Sequence, residues 1–258
     1  MSKKNTTERM LTIGTIFVIL AIWVVITTLG WVDPKLVPSP QSVWTALIDI
    51  LQNGYKNYTL LHHLGASMQR LLIAFFAAVV LAVPLGLASG YNSKIRAILE
   101  PVIEFYRPLP PLAYYTLLVL WLGIENGSKI VLLLLACFAP IYISCVSAVM
   151  KIKEEYINSA CSVGASKLQI FIYVIFPACL PDIFIGLRTA LGVGYTTLVS
   201  AEMVAASSGI GWMVLDASRY LRSDIIFLGI IIMGITGILL DKSIQFIEHK
   251  VIPWKGKE

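Results

Sequence analysis

The chain has 258 residues, of which 57% are hydrophobic and only 14% charged, and its mean hydropathy is +0.80. Soluble domains carry about 25% charged residues, so these values exclude a soluble globular protein and point to an all-α polytopic membrane protein. The formal net charge of +5 is modest and gives no reason to invoke nucleic acid.

Runs with few or no charges occupy residues 10–32, 71–93, 108–124, 130–150, 183–206 and 225–240. Most approach the ~20 residues that a helix needs to cross a bilayer's hydrocarbon, so six transmembrane helices are expected. The first run follows Lys3, Lys4 and Arg9 and ends at Trp31-Val32-Asp33-Pro34 without a small-residue cleavage pattern, which reads as a retained span. With the N terminus inside, residues 1–9, 91–107, 151–182 and the tail after 240 hold most of the lysines and arginines. Lys242, Lys250, Lys255 and Lys257 keep that tail inside, so both termini are expected in the cytoplasm. The expected organisation is a first span with an outer amphipathic segment over 1–66, a membrane unit over 67–248 and a tail over 249–258.

After the first span, the stiff segment Leu36-Val37-Pro38-Ser39-Pro40 precedes a helical pattern with Val43, Trp44, Leu47, Ile48 and Leu51 on one face. That pattern fits an amphipathic helix lying on the outer surface. A turn at Asn53-Gly54 and the polar segment from His62 to Arg70 return the chain to the membrane. The second span ends in the small-residue run from Pro84 to Gly90, which permits close helix contact. Next comes Arg107-Pro108-Leu109-Pro110-Pro111, whose prolines remove backbone donors and keep the third span from starting as an ordinary helix. Within hydrocarbon such a break survives inside protein or beside a water-filled cavity, so this is either the inner mouth of a pathway or a simple helix stop.

The fourth span holds Pro140, where a kink is expected. In the fifth, Gly186, Ala190, Gly194, Ala201 and Ala205 fall on one helical face, a stripe suited either to a two-fold interface or to packing within the chain. Arg188 and Glu202 share that span but lie about 21 Å apart in a helix rising 1.5 Å per residue, so they cannot pair with each other. Both read first as members of structural pairs and second as solute contacts. A turn-rich segment, residues 207–212, then leads to a short helix with Met213, Val214, Ala217, Tyr220 and Leu221 on one face.

Cys137, Cys145, Cys161 and Cys179 have no metal-ligand or disulfide spacing, and the three histidines form no cluster. The sequence has no catalytic triad, P-loop or glycine-rich nucleotide fingerprint, so if ATP drives this protein another subunit must bind it. An ion-coupled carrier would show paired inverted repeats and midplane ionisable residues, and an intramembrane enzyme a convergent catalytic set; neither pattern is present.

The stretch EEYINSACSVGASKLQIFIYVIFPACLP, from Glu154 to Pro181, reads as a short helix over 156–163, a turn at Gly164 and a second short helix from Ser166. Pro177 is expected to interrupt that helix and Pro181 to start the next. The frame Asn158-Ser159-Ala160, Gly164 and Val174-Ile175-Phe176-Pro177 resembles the "EAA" loop of ABC importer permeases, with Asn158 in place of the family's Glu and Ser159 in place of its first Ala. The run EPVIEFYRPLPPLAYYTLLVLWLG, residues 100–123, is similar to the taurine, sulfonate and nitrate branch, and within it to the taurine permeases.

This resemblance implies a type I permease fold acting as a homodimer on two ABC ATPase subunits, which would carry the ATP and Mg2+, and fed by a periplasmic or lipid-anchored solute-binding protein. It implies a multi-pass protein of the inner membrane that is no enzyme by itself and moves taurine or a related sulfonate by alternating access. Another alkanesulfonate, nitrate or an aromatic precursor is the alternative cargo. ATPase contacts carried over from the family are Asn158, Ser159, Ala160 and Gly164, with Ala165 to Phe171 as the coupling helix, including Ser166, Lys167 and Leu168, and with Pro177 counted in the same coupling set. Expected pathway or gate residues are Arg107, Pro108, Pro110, Pro111, Arg188, Gly194 and Glu202. No catalytic residue and no metal ligand is expected.

Overall fold

The computed structural model describes residues 6–254; Lys3, Lys4, Lys255 and Lys257, which contribute to the expected basic flanks, lie outside them. Among the described residues the regular structure is helical: α1 (Thr6–Thr28), α2 (Pro40–Asn53), α3 (Leu60–Tyr91), α4 (Ser93–Tyr106), α5 (Pro111–Leu122), α6 (Asn126–Met150), α7 (Glu154–Ser162), α8 (Lys167–Ile170), a π-helical turn (Phe171–Ile175), α9 (Phe176–Ala205), α10 (Ile210–Arg219) and α11 (Ser223–Val251). Five apolar stretches are long enough to cross a membrane: Met10–Thr28, Leu60–Tyr91, Asn126–Met150, Lys167–Ala205 and Ser223–Val251. The remaining expected crossing, α5, has 12 residues and rises about 18 Å, well short of a bilayer's hydrocarbon thickness. It is bounded by Pro110-Pro111 at its start and by Gly123, at φ 80°, at its end.

Helix α6 forms the centre, packed between α3 and α9. Small side chains make this possible, because lipid tails are as apolar as leucine and close van der Waals contact has to drive helix association. A Cβ on Gly186 would lie 2.5 Å from the Ser144 Cβ, and one on Gly194 would lie 2.5 Å from the Cys137 sulfur. Ala190 and Ala201 on the same stripe are fully buried. The small-residue face of α9 is therefore consumed inside the chain, which corrects its reading as a two-fold interface. Likewise Gly86, in the small-residue run of α3, meets Tyr142 and Cys145 of α6.

Several boundaries differ from expectation. The second span starts at Leu60, capped by the Thr59 hydroxyl, which accepts from the His62 N–H. The segment taken as a polar return is thus helical, and its His63, Ser67 and Arg70 are buried. Neither Pro177 nor Pro181 ends a helix. The π-helical turn immediately ahead of Pro177 changes the backbone pairing where its missing N–H would otherwise break the ladder, and Pro181 lies inside α9. In α2, Val43, Ala46 and Ile50 turn inward into a cluster with Met213, Ile225 and Leu228, while Trp44, Ile48 and Leu51 stay exposed, so the buried face is rotated from the expected one. In α10 the buried face holds Ile210, Met213, Val214 and Ala217, but Tyr220 and Leu221 lie past the helix end and are exposed.

Helix α1 stands at the periphery, with none of its apolar window buried. It is tied to the bundle through Trp23, whose indole N–H donates to the Pro38 carbonyl (3.0 Å) and whose ring stacks on Phe227 at 6.0 Å.

Candidate functional site

Three features stand out: a knob made by α7 and α8, a cleft beside the start of α5, and a buried polar lock at the α10 end of the bundle.

The knob is set by local chemistry. Glu154 and Glu155 occupy the first turn of α7, where carboxylates complement the helix dipole. The helix closes with Gly164 at φ 83°; the Gly164 N–H donates to the Cys161 carbonyl (2.9 Å) and the Ala165 N–H to the Ala160 carbonyl (3.1 Å), a Schellman closure. Ser166 then caps α8 in a reciprocal box, with its N–H donating to the Gln169 amide oxygen (2.8 Å) and its hydroxyl accepting from the Gln169 N–H (3.4 Å). The knob has two faces. Ile157, Ala160, Ala165 and Phe171 pack against the main core and Ile170 is buried in it. Tyr156, Val163 and Leu168 point outward, with Val163 84% exposed. Asn158, Ser159, Gly164, Ser166 and Lys167 are exposed as well, and Pro177 is half-buried at the root of α9. Glu154 lies one turn from Asn158 on the same face of α7, so an acid remains close to the position where Asn158 has no charge.

The cleft, about 400 Å³, is walled by the α4–α5 junction, α6 and α9. Arg107 and Pro111 line it; Pro108 and Pro110 shape the turn between α4 and α5 without lining it. Tyr106, Tyr114, Ser144 and Thr189 also line it, and the sequence marked none of these as a pathway residue. Adjacency of Tyr106 to the Arg107-Pro108 break was the one available signal. Arg107 caps the C terminus of α4 through its backbone, and its exposed guanidinium has no hydrogen-bond or ion-pair partner among the described residues. The Tyr106 hydroxyl is buried and also lacks a partner. Burial raises its pKa above the usual phenol value, so it stays protonated and able to donate at neutral pH.

The remaining expected pathway residues lie elsewhere. Gly194 packs on α6 and Arg188 pairs with Asp241 of α11 (2.9 Å). Glu202 is fully buried in the lock. Its carboxylate accepts from Arg70 Nη1 (2.7 Å), the Ser67 hydroxyl (2.8 Å) and the Gly211 N–H (3.0 Å). Arg70 also donates to Asn126 Oδ1 (2.7 Å) and the Ser208 carbonyl (2.8 Å), joining α3, α6, α9 and the turn before α10. His63 completes the lock: its Nδ1 accepts from the Gly209 N–H (3.1 Å), so its Nε2 carries the proton donated to the Tyr55 carbonyl (3.2 Å). Sequence spacing could not reveal partners more than 130 positions apart.

Residues 82–253 match the family described as "binding-protein-dependent transport system inner membrane component". The chain is 42% identical to the taurine transport system permease protein TauC of Escherichia coli (strain K12), over 96% of this chain and 90% of that protein. It is 32% identical to the putative aliphatic sulfonates transport permease protein SsuC of Bacillus subtilis (strain 168), over 93% and 85%. In three dimensions it is similar to a chain from inward-facing structures of the MetNI methionine ABC transporter, with a TM-score of 0.59, 17% identity and coverage of 75% of this chain and 94% of that one. That likeness shows the fold. ATP hydrolysis resides in a separate subunit of such systems. By sequence over nearly its full length and by fold, the chain belongs to the binding-protein-dependent transport family and is the multi-pass membrane permease subunit of an ABC importer.

Proposed function

We propose that this permease imports taurine or a closely related sulfonate through the cytoplasmic membrane, with both termini inside. The observation that carries the cargo is the 42% identity to a taurine permease across 96% of the chain. In this reading the α7–α8 knob faces the cytoplasm and seats in an ABC ATPase subunit through Tyr156, Asn158, Ser159, Val163, Lys167 and Leu168. ATP and Mg2+ bind two such partners and not this chain. The firm cap at Gly164 and the inward anchors Ile157, Ala165 and Ile170 support a rigid lever rather than a loose loop.

The cleft forms one half of the solute path, and a second copy of the chain supplies the other. Leu117, Leu120 and Trp121 on α5, the helix that borders the cleft, are exposed and would be covered by lipid or by that copy. The solute-binding protein delivers at the α10 end, where Tyr58, His62, Tyr220 and Leu221 are exposed. ATP closes the motor subunits, their movement turns the knobs, and the two copies open outward; release of ADP reverses the tilt. Such a cycle needs contacts that differ between its two states.

The deciding experiment reconstitutes the permease with its ATPase and binding protein and measures solute-dependent ATP hydrolysis. Taurine is expected to stimulate it. Stimulation by another alkanesulfonate with none by taurine overturns the cargo assignment.

A further inference from the structure

We propose that Arg107 and the Tyr106 hydroxyl form an anion-binding pair that takes the sulfonate group of the solute in the cytoplasmic half of the path. Arg107 can act in this way only if the cleft is the path proposed above.

The chemistry of the cleft is one-sided. Its lining contains one cation and no carboxylate. Among the other described arginines, Arg70 pairs with Glu202, Arg96 with Glu100, Arg188 with Asp241 and Arg222 with Asp224, while Arg219 is exposed at the end of α10, away from the cleft lining. Arg107 offers an unengaged guanidinium at the rim of the cavity. A guanidinium presents five N–H donors in a planar fork, a geometry suited to two oxygens of a tetrahedral oxyanion. The neighbouring Tyr106 also lines the cleft, and its hydroxyl is a buried orphan donor; leaving such a group unpaired costs free energy that a ligand oxygen would recover. Leu109, Leu135, Ala139 and Ile143 supply apolar walls, which lower the local dielectric and strengthen the attraction for an anion. At about 400 Å³ the cleft has room for a small alkanesulfonate.

A simple structural role for Arg107 also exists, since a cation at the C terminus of α4 complements the helix dipole. That role leaves the side-chain donors free, and it makes no demand on what enters the cleft. The anion pair does. It reads the sulfonate and ignores the ammonium of taurine, so plain alkanesulfonates pass the membrane half of the machine as readily as taurine once delivered.

The test uses the assembled complex with Cys161, the exposed native cysteine, changed to Ser and a reporter thiol introduced by Ser144→Cys in the cleft wall. Alkylation of that thiol by a small maleimide is followed with millimolar ethanesulfonate or ethylammonium present. Ethanesulfonate is expected to slow alkylation and ethylammonium is not, and Arg107→Gln is expected to remove the protection while Arg107→Lys keeps part of it. Taurine import by Arg107→Gln should fall about tenfold or more, the factor that loss of one charge-assisted hydrogen bond brings. Equal protection by the two probes, no protection by either, or protection that survives Arg107→Gln overturns the anion pair. A separate arm plugs the cleft with Ala139→Trp. Import that continues at the parental rate there sinks the path itself, whereas import blocked by Ala139→Trp but untouched by Arg107→Gln sinks only the pair.

Discussion

Removing Arg70 should be among the most damaging single changes in this chain. The Arg70 and Glu202 side chains are 7% and 1% exposed and meet at 2.7 Å. Their Coulomb attraction offsets a desolvation cost of several kcal/mol per ion, so breaking the pair leaves a buried charge without its counter-charge. With Arg70→Met the Glu202 carboxylate keeps only the Ser67 hydroxyl and the Gly211 N–H as donors. The expected loss is about 3–5 kcal/mol. Glu202→Gln strands Arg70 less completely, because Asn126 Oδ1, the Ser208 carbonyl and the Ser208 hydroxyl still accept from it, and about 3 kcal/mol is expected. Combining the two removes both charges and should recover about 2 kcal/mol relative to Arg70→Met alone. The assay is reversible unfolding of the purified chain in mixed micelles with increasing dodecyl sulfate. Single variants within about 0.5 kcal/mol of the parent, the range of ordinary surface changes, would refute the buried-pair reasoning. So would a double variant whose loss is the sum of the two singles.

Two further expectations concern backbone and packing. Gly164→Pro forces φ from 83° to near −65° and removes the N–H that donates to Cys161, so import should be lost while membrane insertion is kept; parental import by an assembled Gly164→Pro complex would end the lever role. Gly194→Ala pushes a methyl group against the Cys137 sulfur and the Leu71 Cδ1 and should cost about 1–3 kcal/mol in the same unfolding assay, with most of it regained by adding Cys137→Ala; an unchanged midpoint would show that α6 and α9 are farther apart than described.

Much of the architecture was legible because the signals are local. Span length, the helix–Gly–helix rhythm around Gly164 and the Pro-rich start of α5 each depend on residues next to one another in the chain. Partners were not legible. The period of a stripe says which residues share a face, but not which helix covers it, and so the α9 stripe suggested a second copy when α6 was the neighbour. The extent of α3 was missed for a related reason. Hydropathy marks where polar residues begin, and Ser67 and Arg70 look like an exit from the membrane until Glu202 is known to lie beside them. Pro177 misled because a proline rule alone takes no account of a π-helical turn just ahead of it. The Pro-rich break marked one wall of the cleft, with Arg107 and Pro111 on its lining, but Tyr106, Ser144 and Thr189 come from three separate elements, and nothing in each one's own window tied it to that break.

Cys161 offers a direct probe of the proposed seating of the knob in an ATPase subunit, since it lies exposed on α7 while Cys137, Cys145 and Cys179 are buried. A short bifunctional maleimide should join Cys161 to the ATPase subunit in the assembled importer, and partner binding should slow its labelling by a small maleimide. If Cys161 reacts as fast in the complex as in the free chain and never forms an adduct with that subunit, then α7 and α8 are not where the motor grips.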